Sequence, residues 1–175
     1  SFVELISPLD YEQSAPLLFL WVSKFFTLVL GISHYSLRLL PLLAGITSLF
    51  LFADISRKVL KSPLNIIALF WFGTHQLVAR YATEYKQYMV DVFATLLIIW
   101  VVIIIGEINK KNFWKLALGG AIVIWLSMPS VFVLISAIVY ISVSHAKKGS
   151  SIAPILWVAG TIGFSFLANY MIMLR

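Results

Sequence analysis

The densest run of chemically capable side chains is Arg80-Tyr81-Ala82-Thr83-Glu84-Tyr85-Lys86-Gln87-Tyr88-Met89-Val90-Asp91. Read as a helix, it places Arg80, Glu84, Gln87 and Asp91 on one face, with Tyr81, Tyr85 and Tyr88 as a neighbouring aromatic stripe. Arg80 and Lys86 have the charge and donors to hold a phosphate. Glu84 and Asp91 suit a different task, orienting those cations or accepting hydrogen bonds from sugar hydroxyls. The same residue types also populate the headgroup level of a bilayer, where Tyr, Arg and Lys form interfacial belts. Four charges crowded beside an apolar run favour a site.

Three further positions carry polarity that lipid would penalise. Lys24 sits between Phe19-Leu20-Trp21 and Phe25-Phe26. A charge at mid-bilayer costs about 2.5–3.5 kcal/mol on insertion scales, so Lys24 either pairs inside a cavity or marks a short segment. Arg38 opens an apolar run, as an interfacial anchor or a ligand contact. Asp54, close to Arg57 and Lys58, reads as an ion pair at a helix end. The histidines are scattered: His34 in a connection, His75 within an apolar helix, His145 beside lysines. No paired histidine spacing such as HExxH is present, which argues against a histidine metal site.

These side chains need a scaffold, and composition says what kind. Of 175 residues 61% are hydrophobic and 11% charged, with mean hydropathy +0.98. Soluble domains carry about 25% charged residues. The expected fold class is therefore all-α, a polytopic transmembrane helix bundle. Soluble enzymes, disordered tails and nucleic-acid-binding modules are excluded, since the net charge of +6 comes from short basic clusters between apolar runs. The chain has no cysteine, hence neither a disulfide nor a thiolate metal site.

Candidate spans cover 15–31, 39–53, 62–79, 92–106, 116–144 and 149–174. The fifth run is long and contains Ser127-Met128-Pro129-Ser130. As one span it would put Lys110, Lys111 and Lys115 opposite Lys147 and Lys148. Two spans broken at Pro129 keep all five on one side, as the positive-inside tendency prefers. Six to seven spans are thus expected, with Arg57, Lys58 and Lys61 on that same cytoplasmic side. Segments 31–38, 80–88 and 127–130 then face outward. A full span at 15–31 would place Glu4, Asp10 and Glu12 in the cytoplasm, so that segment is either short and re-entrant or another segment fails to cross. Without a visible leader and with abrupt ends, the chain is read as one transmembrane domain from a longer protein, 1–14 being an external-loop remnant and 15–175 the bundle.

Four motifs in order carry a family resemblance. Gln13-Ser14-Ala15-Pro16-Leu17 resembles the "Q-x-P-P-L" opening of a helix in GT-C membrane glycosyltransferases, the group of protein O-mannosyltransferases and lipid A aminoarabinose transferases. Ala15 replaces the first proline. Gly31 to Pro41, with Arg38-Leu39-Leu40-Pro41, is similar to their "G-x-s-x-x-x-x-R-L-P" element. The region from Arg80 to Asp91 is similar to "s-x-E-x-R-x-Y" or "R-x-x-x-x-D", and Ser127-Met128-Pro129-Ser130-Val131-Phe132 to "S-x-P-x-x-F".

The resemblance implies transfer of a sugar from a polyprenyl-phosphate carrier to an acceptor on the outer membrane face, in a bacterial inner membrane. It implies that the acidic catalytic motif lies upstream, since Glu4, Asp10 and Glu12 lack the paired-acid pattern. Gln13, Arg38, Arg80, Glu84 and Lys86 are expected to line the donor groove, with Lys24, Tyr81, Tyr88 and Asp91 alongside. Some relatives use a divalent metal, but no ligand set for one is visible. The expected partners are the polyprenyl-phosphate-linked sugar and membrane lipid, with no nucleic acid and an unspecified acceptor. Two other classes stay open: a transporter or flippase, with Lys24, Asp91 and Pro129 lining a pathway, and a non-catalytic membrane scaffold. No internal repeat favours the transporter.

Overall fold

A computed structural model describes residues 15–105, 113–149 and 151–173, and all regular structure among them is helical. The order is α1 (Leu17–Leu30), α2 (His34–Val59), α3 (Leu64–Thr74), α4 (Gln76–Thr83), α5 (Tyr88–Ile105), α6 (Phe113–Leu126), α7 (Ser130–Lys147) and α8 (Ala153–Met173). Helices α2, α7 and α8 are long and apolar enough to cross a membrane, and the bent pair α4–α5 counts as a fourth if taken as one span. Helices α1, α3 and α6 are apolar but shorter.

Cross-helix contacts give the bundle two ends. Trp100 on α5 donates its indole N–H to Asp54 on α2 at 2.7 Å, while Met89 lies against Gly45, so α2 and α5 run parallel. Ile162 meets Gly120 and Asn169 donates to the Ile124 carbonyl at 3.0 Å, so α6 and α8 also run parallel. At one end stand the start of α2, the α4–α5 break and the α6–α7 break. The other end holds Asp54 to Lys61, Lys115 and the last turn of α7 with His145 and Lys147.

Each break has a local cause. Pro129 has no N–H to donate and disfavours helix at Met128; α6 ends at Leu126 and α7 starts at Ser130. The division of 116–144 expected from charge is therefore present. The 62–79 run, expected to be one helix, is two. His75 is extended (φ −67°, ψ 124°) and caps α4, its Nδ1 accepting from the Leu77 N–H at 3.3 Å. A side chain that bonds its own backbone competes with the helix ladder, so His75 is an exposed cap and not the helix-interior residue its apolar neighbours imply.

Helix α1 opens the described part of the chain. It has 14 residues, the same length as α6. Phe19 near its start stacks on Tyr85, ring centroids 5.6 Å apart. Its last residue is followed within four residues by His34, which lines the same pocket as Tyr85. Both ends of α1 thus lie at one end of the bundle. Its first half is buried and its second half, with Phe25, Leu28 and Leu30, is exposed.

Two apolar clusters hold the rest. Phe19, Ala44, Met89 and Val90 join α1, α2 and α5 beneath the α4–α5 break. Ile98, Ala117, Ile124, Leu134, Val158 and Ile162 join α5 to α8. Large apolar side chains cover the outside as well: α3 buries no residue and exposes Ile66, Ile67, Phe70 and Trp71. A surface of that kind is at home against lipid.

Candidate functional site

The site is built from two helix ends. Ser33 caps α2: its hydroxyl accepts from the Ser36 N–H at 3.1 Å, and its own N–H donates to the Ser36 hydroxyl at 3.1 Å. Ser36 in turn donates to the Gly31 carbonyl at 2.7 Å. Gly31 itself has φ +79°, a backbone that a Cβ would strain. This reciprocal cap starts α2 at His34, so His34 and Arg38 fall four residues apart on one face.

The second end is the α4–α5 corner, where the axes turn by 114°. The single helical face expected for Arg80, Glu84, Gln87 and Asp91 does not form. Helix α4 stops at Thr83, Glu84 is extended (φ −93°, ψ 141°), and α5 begins at Tyr88. The corner turns Glu84, Tyr85 and Lys86 towards α2. A pocket of about 370 Å3 results, lined by His34, Leu37, Arg38, Glu84, Tyr85 and Lys86.

Arg80, Tyr81 and Tyr88 do not line the pocket, but Arg80 reaches its carboxylate from outside. Arg80 donates through Nε to Glu84 Oε1 at 2.7 Å. That bond, with Lys86 and Arg38 adding their fields, holds the Glu84 carboxyl below the usual range. Among the described residues, ion pairs join Arg80 to Glu84 and Lys58 to Asp54, which leaves Arg38 and Lys86 with their charge available. Lys86 Nζ lies 5.6 Å from the Tyr88 ring centroid, and Tyr88 packs on Tyr81 at 5.0 Å. Three cations therefore surround one carboxylate, an arrangement suited to an anion. Sequence reasoning missed His34 and Leu37. The cap signature Ser33-x-x-Ser36 was the available signal, since it sets where α2 starts.

Other predicted residues lie apart. Asp91 is half-buried one turn into α5 and faces Ser127 at the α6–α7 break. Lys24 is half-buried midway along α1. Neither lines the pocket. Gln13, like Glu4, Asp10 and Glu12, lies outside the described residues. No group of three or more His, Asp or Glu among the described residues is placed to hold a metal ion.

Gly45 positions the corner. A Cβ there would stand 2.9 Å from Ala82 Cβ, so the close approach of α4 to α2 depends on its absence.

Apolar helices with a pocket at one end that carries Arg38, Glu84 and Lys86 fit a helical membrane protein. The profile of the dolichyl-phosphate-mannose-protein mannosyltransferase family matches residues 14–172. The chain belongs to that family, which is one of membrane glycosyltransferases of the GT-C type. No curated protein and no solved structure matches the chain.

Proposed function

We propose that this chain forms part of an integral membrane glycosyltransferase that moves a sugar from a polyprenyl-phosphate donor to an acceptor on the outer face of a bacterial inner membrane. The observation that carries the reading is the meeting of Arg38 and Lys86, far apart in sequence, at one pocket whose carboxylate is already occupied by Arg80. In that reading Arg38 and Lys86 bind the donor phosphate, and the Glu84–Arg80 pair sets the wall beside them. Tyr81 and Tyr88 buttress Lys86. Gln13 is assigned to the same groove, and Lys24 and Asp91, which do not line the pocket, are left out of it.

The membrane topology follows the bundle. Helix α2, the pair α3–α4, and then α5, α6, α7 and α8 make six passes, with α1 short and re-entrant at the pocket end. Lys58, Lys115 and Lys147 then share the cytoplasmic side, in keeping with the positive-inside tendency, and the pocket faces outward.

The test is a donor titration on the full-length protein. Arg38→Ala and Lys86→Ala should each raise the donor KM by about tenfold, the scale of one charge-assisted phosphate contact. Unchanged turnover and unchanged donor KM in both variants would remove these residues from the site.

A further inference from the structure

A second cavity lies at the opposite end of the same bundle and differs in character. Helices α5 to α8 enclose a cleft of about 160 Å3 lined by Leu97, Val101, Gly119, Leu134 and other apolar groups, with Lys115 at its rim. Two adjacent glycines of α6 stand in its wall. Gly120 is pinned, because a Cβ there would stand 2.7 Å from Ile162 Cδ1. A Cβ on Gly119 would meet nothing within 4 Å, so Gly119 opens the wall. Apolar cavities near 150 Å3 stay dry and accept a hydrocarbon of about six carbons.

We infer that this cleft takes a segment of about six carbons from one acyl chain of an anionic phospholipid, with the phosphate held by Lys115. Lys115 lies one turn before Gly119 on α6, on the same face, and is exposed at the Lys-bearing end of the bundle. Its ammonium stands 5.7 Å from the Trp114 ring, and Trp beside Lys marks headgroup level. The charge at the rim and the apolar depth below it match the two parts of such a lipid. The site is separate from the Arg38–Lys86 pocket, which lies at the other end and is polar. The inference rests on the membrane placement proposed above.

The experiment uses the full-length protein in detergent with added phosphatidylglycerol or phosphatidylcholine, and counts retained lipid by native mass spectrometry. Wild type should retain one phosphatidylglycerol. Gly119→Leu, whose Cβ meets nothing within 4 Å and whose side chain takes up room in the cleft wall, should lower retention of both lipids about tenfold. Lys115→Ala should lower phosphatidylglycerol retention about fivefold, the weight of one surface cation, and leave phosphatidylcholine unchanged. Equal retention by wild type and Gly119→Leu, indifference of Lys115→Ala to headgroup, or displacement of phosphatidylglycerol by a polyprenyl phosphate would each overturn the assignment. Alkaline carbonate extraction of the same membranes reports insertion separately, so a failure of membrane placement is distinguished from a failure of the cleft.

Discussion

The Arg38–Lys86 pocket and the Gly119 cleft are both gaps in one helical bundle, yet they arise by opposite means. The pocket exists because two helices end there: the cap at Ser33 starts α2, and the corner at Glu84 stops α4. Helix ends free backbone groups and turn polar side chains inward, so a gap between them is polar. The cleft lies between the bodies of α5 to α8, away from their breaks, and every lining group but Lys115 is apolar or glycine. A lipid-embedded bundle thus obtains a polar site where helices are interrupted and an apolar site between their bodies.

That contrast predicts different sensitivities. The largest effect belongs to Gly45→Leu. The substitution must push Ala82 aside, since even a Cβ stands 2.9 Å from it, and displacement of the corner by about 1 Å can cost about a hundredfold in activity. Transfer rate and donor KM should both worsen, while lipid retention at Lys115 should be unaffected. A variant with wild-type kinetics would show that the corner does not depend on α2.

Next comes Ile124→Ala, in the cluster beside the cleft. Ile124 is fully buried, and its truncation should lower thermal stability by about 2 kcal/mol with the donor KM unchanged. A selective change in donor KM with stability intact would mean that the two regions are coupled.

The smallest effect is electrostatic. The Glu84 pKa is depressed, first by the Arg80 hydrogen bond and then by nearby positive charge. Its contribution is therefore fully present above the unfolded value of about 4.3 and is lost as pH falls through the lower folded value. Difference infrared titration should find Glu84 ionised at pH values where ordinary glutamates are half protonated. Arg80→Ala should move the transition upward, and an unmoved transition would assign the depression to Lys86 and Arg38.

Much of this was legible in the residues. Apolar run lengths anticipated a helical bundle, the lysine clusters anticipated the α6–α7 break, and the crowded run from Arg80 to Asp91 contains Glu84 and Lys86, which line the pocket. What failed was continuity. A period-3.6 reading carried Arg80 through Asp91 on one face and 62–79 through His75 without interruption. Periodicity does not register a histidine that caps its own helix, nor a corner whose residues all tolerate helix.

Residue types alone determined that the chain seeks lipid, where helices will form, and which end collects positive charge, because transfer of apolar and charged groups between water and hydrocarbon depends on composition and order along the chain. The tertiary structure decided that Arg38 meets Glu84 and Lys86 while Lys24 and Asp91 do not, and that Gly119 faces space while Gly120 faces Ile162. Those outcomes depend on which helices lie side by side, at what angle and in what register, and such packing is set by steric fit between residues distant in sequence.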